Sequence, residues 1–214
     1  MNAQQLKRRL KGIKENMPET HAIRLHRAIS WLQCAENNKE DFDIEFISLW
    51  IAFNACYAAP LDKEYTGTEK ERFGNFLVQL IALDEEKRFY NLLWNKFSTT
   101  VRLLLENQYV FKPFWDFQRG EIKVWKPQYD KSYKDCMKYL SKGQVVELLE
   151  VVLDRLYTLR NQLMHGGATY KSKVNREQMK QGCAMLQLMI CMMIEIMLNN
   201  AEEDWGGINY PVVG

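Results

Sequence analysis

The sequence contains few of the residues that interrupt regular structure. Five prolines and eleven glycines are spread over 214 residues, and neither an internal repeat nor a low-complexity segment stands out. Disordered regions and long linkers are rich in such residues, so their scarcity argues against both. We therefore predict a single folded domain over residues 1–214, which is long enough to bury a hydrophobic core.

Cysteine and histidine are scarce as well. The five cysteines are odd in number and form no CxxC pair, which argues against a zinc finger and a disulfide framework. Reduced thiols in a cytosolic protein are the simplest interpretation, and we predict a cytoplasmic location. Only three histidines are present, so a histidine-rich metal site is not expected. The sequence predicts neither a metal site nor a cofactor.

The sequence also lacks a large excess of charge of one sign, because it has 29 basic and 27 acidic residues and a net charge of +2. Nothing in this balance demands a nucleic acid or a membrane, so any RNA site has to be a local patch. The basic N-terminus has no apolar segment typical of a signal peptide. We favour a solvated, partly frayed terminus there over a contact with RNA.

The most apolar run, residues 183–198, is short for a bilayer span and carries Gln187 and Glu195. We predict a buried helix and no membrane partner. The helix around this run is apolar nearly all round and contains six methionines. It is predicted to lie at the centre of a bundle or to be shared between the core and a dimer interface.

What the sequence does contain is one helical pattern after another. Apolar residues recur at helical spacing, and strand patterns are nearly absent, so we predict an all-α helical bundle. The predicted helices are 19–37, 44–59 capped within the DFD stretch at 41–43 and closed by Pro60, 72–83 capped by Thr68, 85–97 capped by Asp84, 101–107, 129–140, 143–165 begun by Ser141 or Lys142 and ended by Gly166 and Gly167, and one from Asn175 to about Asn200.

Two segments depart from this pattern. Residues 110–128 combine aromatic side chains with two Lys-Pro steps, which predicts an inserted aromatic loop or a small hairpin around Arg119 and Gly120. Residues 201–214 are predicted to be a C-terminal tail.

Aromatic and basic side chains alternate in residues 115–142, where seven cations outnumber four acids. Such a mixture suits stacking on single-stranded RNA bases and contact with phosphates. The alternative, which we favour, is that the aromatic side chains anchor a loop and the lysines form a solvated surface. His21 and His26 are five residues apart and do not share a helix face, so we interpret them as ordinary, partly exposed residues.

The stretch TLRNQLMHGG, residues 158–167, carries the strongest candidate site. Asn161 and His165 are four residues apart and share a helix face, so the amide is placed to orient the imidazole. Arg160 lies about 140° away around an unbroken helix. It converges with His165 only because its side chain is long and the helix ends at Gly166.

These residue types suit a narrow chemistry. A guanidinium offers two donors to a phosphate, and an imidazole transfers protons near neutral pH. Together they suit an RNA phosphodiester attacked by its own 2′-hydroxyl, a reaction that needs no metal. The alternative is a structural helical protein in which Arg160 and His165 only cap the end of a helix. The spacing alone leaves catalysis and capping both open.

The stretch resembles the signature of the HEPN superfamily, in which a histidine follows an arginine after four to six residues and a polar residue often comes directly after the arginine. A second segment, FISLWIAFNACYA at residues 46–58, is similar to the early core helix of prokaryotic HEPN domains of the Apea-like type. Asn54 occupies the polar position of that helix, where many relatives carry an acidic residue. The resemblance covers residues 20–60 and 143–200.

The resemblance implies a helical bundle that dimerises, with the Arg and His motifs of two protomers facing each other across a cleft. Active members are metal-independent endoribonucleases of toxin–antitoxin, phage-defence and RNA-processing systems, and they leave a 2′,3′-cyclic phosphate. Carried to this chain, the resemblance implies that Arg160 binds and polarises the phosphate. It makes His165 the proton-transfer group or transition-state stabiliser, and Asn161 a residue that orients the histidine or contacts RNA.

Asn54 and Tyr157 are the candidate substrate-binding residues. The implied partners are RNA, a second copy of the chain, and an antitoxin or nucleotidyltransferase. Inactive members of the superfamily serve as binding or scaffold modules. A non-catalytic HEPN module that binds RNA, a nucleotide or a protein is therefore the alternative function. Asn54 in place of the usual acid and the low net charge both favour this alternative.

Overall fold

The computed structural model is all-α, as the sequence predicts. It describes residues 1–58, 69–173 and 175–212, and no strand occurs among them. The predicted helix end at Pro60 and the predicted cap at Thr68 lie outside the described residues. The α-helices, numbered in chain order, are α1 (Ala3–Ile13), α2 (Glu19–Asn37), α3 (Phe42–Tyr57), α4 (Glu69–Ala82), α5 (Arg88–Lys96), α6 (Arg102–Leu105), α7 (Lys112–Gln118), α8 (Lys126–Lys142), α9 (Val145–Met164) and α10 (Arg176–Asn199).

The chain divides into two compact units, which are described separately. Unit 1 comprises Met1–Glu85 and Leu186–Gly214, and unit 2 comprises Glu86–Met185. The first residues of α10 therefore belong to unit 2 and its last residues to unit 1. The single domain over residues 1–214 stays a prediction.

The N-terminal helix α1 is ordered, so the prediction of a partly frayed terminus is wrong. Asn2 and Gln5 form a capping box, in which the side-chain oxygen of each accepts a hydrogen bond from the backbone N–H of the other at 2.9 Å. Ala3, Leu6 and Leu10 are buried, and the helix packs against α2. Burial of this apolar face holds the terminus in place although its other face is basic and exposed.

Two polar residues of α2 are buried at the ends of other helices in unit 1. His21 is 2% exposed, so its predicted partial exposure is wrong. Its Nε2 lies 3.1 Å from the Met197 carbonyl oxygen in the last turn of α10. Arg24 is 1% exposed, and its Nη1 donates to the carbonyls of Cys56 and Ala58 at the end of α3. Carbonyls in a last helical turn lack intrahelical partners, so α2 caps two helices with its side chains.

The segment after α10, predicted to be a tail, is irregular in the described residues 201–212 but is anchored. Arg24 Nη2 donates to the carbonyl oxygens of Gly206 and Gly207 at 2.9 and 2.6 Å. The Trp205 side chain is buried, with its ring next to those of His21 and Phe76. The segment is therefore part of the fold of this unit.

In unit 2, no hairpin forms in residues 110–128, and the prediction of an inserted irregular segment is wrong for most of it. α7 occupies part of this range and α8 begins at Lys126, each with a proline in its first turn. Proline suits these positions because its ring fixes φ near the helical value and an N–H is not needed there. The two Lys-Pro steps therefore mark helix starts, and residues 119–125 form the irregular connection.

The aromatic side chains of this region form a small core in unit 2. Phe111, Phe114 and Tyr129 are buried, and Trp115 and Trp125 pack against them. The Phe114 and Trp125 rings meet edge to face with centroids 5.2 Å apart. The lysines of α8 are exposed. The anchoring of the aromatic side chains is confirmed, and the absence of an RNA role for the exposed lysines stays a prediction.

α9 begins at Val145, and the predicted start at Ser141 or Lys142 is wrong. Both residues belong to the end of α8, which stops at Gly143 in the left-handed conformation with φ of 67°. This conformation breaks the helical path and forces a new helix to begin. Apolar residues keep their helical spacing across the break, so the sequence pattern does not indicate where α8 ends and α9 begins.

α5 begins at Arg88, three residues later than predicted, so Asp84 does not cap its first turn. The residues between them form a turn in which Lys87 adopts a positive φ of 52°. A left-handed residue cannot continue a right-handed helix, which explains the later start.

The described part of the chain contains one helix long and apolar enough to cross a membrane, and it is α10. In its most apolar window, 67% of the residues are buried inside the protein. The helix begins directly after Asn175 and ends at Asn199, close to the predicted bounds. Its extensive burial agrees with the predicted buried helix.

All five cysteines are free thiols, as predicted, and four of them are buried. Burial raises the pKa of the Cys56 and Cys136 thiols to about 12. The thiolate is the reactive form, so these two side chains act as small apolar residues at neutral pH.

Candidate functional site

Backbone hydrogen bonds alone close the end of α9, where the candidate site lies. The donors and acceptors are Gly166 N–H to Leu163 O at 3.2 Å, Gly167 N–H to Gln162 O at 2.7 Å, and His165 N–H to Asn161 O at 3.0 Å. The first two bonds define a Schellman motif. Gly166 has a φ of 71°, which confirms the predicted left-handed helix end. The carbonyls of Asn161, Gln162 and Leu163 therefore need no side-chain cap.

Arg160 is half-buried one turn before the end of α9. Its Nη1 donates to Oδ1 of Asn161 at 2.9 Å, and its Cζ lies 5.8 Å from the centroid of the Tyr157 ring. The latter distance is within the range of a cation–π contact. The Arg160 Nε is buried and has no hydrogen-bond partner in the described part of the chain. No carboxylate of the described residues pairs with this guanidinium, so its charge is available to an external anion.

His165 is the C-cap residue of α9, with φ of −100° and ψ of 16°. Its side chain is exposed and makes no hydrogen bond within residues 1–58, 69–173 and 175–212. The structure brings Asn161 together with Arg160 and does not bring its amide to the imidazole. The role of Asn161 in orienting His165 stays a prediction.

The two candidate substrate-binding residues lie in different units. Tyr157 is on α9, 44% exposed, with its ring beside the Arg160 guanidinium. Asn54 is on α3 in unit 1, where its Oδ1 accepts a hydrogen bond from the Tyr57 hydroxyl at 3.3 Å. The substrate-binding role of each residue stays a prediction, as does the membership of Asn54 in this site.

Gln162 holds the end of α9 in place, a role that the sequence did not reveal. Its Nε2 donates to the Tyr109 carbonyl at 2.5 Å, and its Oε1 accepts from Asn175 Nδ2 at 3.5 Å. The indole N–H of Trp115 donates to the same Tyr109 carbonyl at 2.8 Å. The candidate site is thereby joined to the aromatic core of unit 2. A glutamine at a helix end is expected to be exposed to solvent, so the sequence alone does not indicate this role of Gln162.

Arg155, on the same helix, is a second residue that the sequence analysis missed. It is 3% exposed, its Cζ lies 4.2 Å from the Phe111 ring centroid, and its Nη2 donates to Ser132 Oγ at 3.0 Å. Burial lowers the pKa of this guanidinium. A signal was present, because Arg155 follows the buried Val152 by three residues and precedes the buried Leu159 by four. This spacing places it on the apolar stripe of α9.

Comparison of this chain with the models of known protein families, with curated proteins and with solved structures finds no match. The resemblance to the HEPN superfamily therefore depends on the Arg160–His165 spacing and on the helix at residues 46–58. Membership of that superfamily stays a prediction.

Proposed function

We propose that this protein is a metal-independent endoribonuclease of the HEPN type whose reaction takes place at the end of α9. Arg160 binds the scissile phosphate while the neighbouring ribose 2′-hydroxyl attacks phosphorus. The bond to the 5′-oxygen breaks, which leaves a 2′,3′-cyclic phosphate and a 5′-hydroxyl. His165 transfers a proton or stabilises the transition state, and Asn161 contacts the RNA or orients the histidine.

The observation that carries the proposal is the way α9 ends. Basic side chains at a helix C-terminus are commonly used as caps, and this was the main competing interpretation. Here the backbone N–H groups of the Schellman motif already bind the terminal carbonyls. No hydrogen bond in the described part of the chain joins the side chain of Arg160 or His165 to those carbonyls. This observation favours a role other than hydrogen-bonded capping for both side chains.

The state of Arg160 adds support. Asn161 and the Tyr157 ring restrict its guanidinium, and no ion pair within the described residues neutralises it. A guanidinium held in this way presents a fork of donors that matches a phosphate, and little side-chain entropy is lost on binding. A guanidinium that binds an anion and an imidazole that moves a proton are groups that suit phosphodiester cleavage by a 2′-hydroxyl, and we propose that both reach the same phosphate.

The wider role follows from the resemblance. We propose a cytoplasmic homodimer in which the Arg and His motifs of two copies face each other. We further propose a toxin or phage-defence role, with an antitoxin or a nucleotidyltransferase as the partner that controls it. RNA is the proposed substrate.

The test is cleavage of total RNA at neutral pH in excess EDTA. We expect activity in the unaltered protein and a loss of about a hundredfold or more in Arg160→Ala and in His165→Ala. Arg8→Ala and His26→Ala are matched controls, because both side chains are exposed on unit 1. Thermal unfolding of each variant separates loss of activity from loss of fold. Equal cleavage by all variants, or cleavage only after metal is added, contradicts the proposal.

One observation favours the second candidate function, a non-catalytic module that binds RNA, a nucleotide or a protein partner. A catalytic imidazole is usually held by a hydrogen bond to its second nitrogen, and His165 has no such bond within the described residues. A folded dimer that binds RNA in a filter assay but leaves it intact supports this alternative. RNA cleavage that His165→Ala abolishes excludes it.

A further inference from the structure

Unit 1 contains a cavity of about 480 Å³ whose described lining includes neither Arg160 nor His165. Its walls come from the end of α3, from α4 and from the anchored C-terminal segment. This volume lies in the range of cavities that hold small organic ligands. Such a cavity takes a ligand when convergent polar groups and apolar surface line it together, and both are present here.

The polar part of the wall consists mainly of carboxamides. The side chains of Asn75 and Asn209 line the cavity and make no hydrogen bond within the described part of the chain. Asn54 uses its Oδ1 to accept from the Tyr57 hydroxyl, and its amide nitrogen stays available as a donor. Each carboxamide offers a donor and an acceptor side by side. The wall can therefore pair with a ligand edge on which donors and acceptors also alternate.

The apolar part of the wall is aromatic. Tyr57, Phe76 and Trp205 line the cavity, and the Phe76 ring centroid lies 6.0 Å from the centroid of each of the other two. Phe76 and Trp205 are buried, which fixes their rings in position. Aromatic faces next to hydrogen-bonding groups are the surroundings in which proteins bind unstacked nucleic-acid bases.

The charge of the wall narrows the ligand further. Asp204 is the one charged residue among the described residues that line the cavity, and its Oδ1 accepts from the Gly206 N–H at 2.8 Å. A phosphate needs cationic donors, and the described side chains of the wall offer none, so these groups fit a nucleoside better than a nucleotide. A carboxylate accepts hydrogen bonds from the exocyclic amino groups of bases.

We propose that the cavity formed by Asn54, Asn75, Asn209 and the rings of Tyr57, Phe76 and Trp205 binds a nucleoside. The base lies against the aromatic rings, and its edge pairs with the carboxamides and with Asp204. The proposal needs neither Arg160 nor His165, and Asn54 is the one predicted ribonuclease residue among the described residues that line this cavity of unit 1.

The test is isothermal titration of the full-length protein with adenosine, guanosine, cytidine and uridine separately. We expect at least one to bind, and we expect Asn75→Ala and Asn209→Ala each to weaken that binding by about fivefold, the loss of one hydrogen bond. Asn37→Ala, an exposed asparagine on α2 outside the cavity, is the matched control and should bind normally. The 5′-monophosphate of the same nucleoside should bind no more tightly than the nucleoside.

Three outcomes overturn the proposal. The first is that none of the four nucleosides binds. The second is that the Asn75→Ala, Asn209→Ala and Asn37→Ala variants bind with equal affinity. The third is that ribose or glucose binds as tightly as a nucleoside. His165→Ala separates the two proposals, because it should abolish RNA cleavage and leave nucleoside binding unchanged. Thermal unfolding confirms that each variant is folded before it is titrated.

Discussion

His21 shows how one buried side chain couples the stability of unit 1 to pH. Its Nε2 faces the Met197 carbonyl, so this nitrogen carries the hydrogen in the neutral ring. Its Nδ1 is buried and has no hydrogen-bond partner among the described residues. The ring stacks on Trp205 with centroids 5.9 Å apart. Protonation would place a charge and an unpaired donor in this apolar environment.

Burial lowers the pKa of His21, the hydrogen bond to Met197 opposes this shift, and the charge of Arg24 adds to it. The unfolded chain therefore binds a proton more readily than the folded one below the ordinary pKa of 6.5. We predict that the free energy of unfolding falls as pH decreases below 6.5, by at most about 1.4 kcal/mol per pH unit from this group. Urea unfolding at a series of pH values measures this slope.

The control for this prediction uses the other histidine of α2. His21→Gln should flatten the slope below pH 6.5, because the titrating group is gone. His26 is exposed, so His26→Gln should keep the slope of the unaltered protein. The same slope in both variants would show that His21 is not its source.

The sequence predicted the environment of a residue correctly where that environment is formed by its neighbours along the chain. It failed where residues distant in sequence form the environment. Gly166 was placed correctly because a helix end depends on neighbouring residues along the chain. His21 was misplaced because its burial depends on Trp205 and Met197, which are far away in sequence. Trp205 itself offered a signal, since a tryptophan that follows three acidic residues in a tail often anchors that tail.

At the level of the helix, the end of α9 determines where His165 lies. Gly166 has a positive φ, and a Cβ added there would meet no atom within 4 Å. The cost of a side chain at this position is therefore conformational and not steric. We predict that Gly166→Ala lowers the free energy of unfolding by about 1 kcal/mol. Urea unfolding measures the change.

Gly12 provides the matched comparison, because it lies within α1 and a Cβ there also meets no atom within 4 Å. Alanine is favoured over glycine in a helix, so Gly12→Ala should raise the free energy of unfolding by up to about 1 kcal/mol. A stabilising effect of Gly166→Ala would contradict the Schellman motif as described.

Helix positions were largely predictable and helix boundaries less so. The bounds of α2 follow from apolar spacing, which is a local signal. The cap of α3 was expected within residues 41–43, and Asp41 is the residue that caps it. The starts of α7 and α8 were missed because proline after lysine fits both a loop and a first helical turn. The start of α9 was missed because a single left-handed glycine interrupts a continuous apolar pattern.

For the whole molecule, the proposed activity requires two copies. We predict that sedimentation at increasing protein concentration shows a dimer. We also predict that cleavage per chain falls when the protein is diluted below the dissociation constant, because each site needs residues from both copies. A monomer at every concentration with unchanged activity per chain would contradict a shared site.

The all-α class was predictable because it depends on the periodicity of the whole chain, and α10 was correctly expected to be buried. The division into two compact units and the cavity of unit 1 were not predictable. Both depend on which helices pack together, and no local pattern encodes this. The candidate site lies between these cases. Its residues on α9 were identifiable, and the pairing of Asn161 with Arg160 was not.

We propose that the end of α9 cleaves RNA through the RNA's own 2′-hydroxyl. The most direct measurement uses two RNAs of the same sequence, one unmodified and one with a 2′-O-methyl group on every ribose. Both are incubated with the protein in excess EDTA, and the ends of the products are analysed. We expect cleavage of the unmodified RNA alone, with 2′,3′-cyclic phosphate ends, and no cleavage by His165→Ala. Cleavage of the methylated RNA, or unchanged cleavage by His165→Ala, would contradict it.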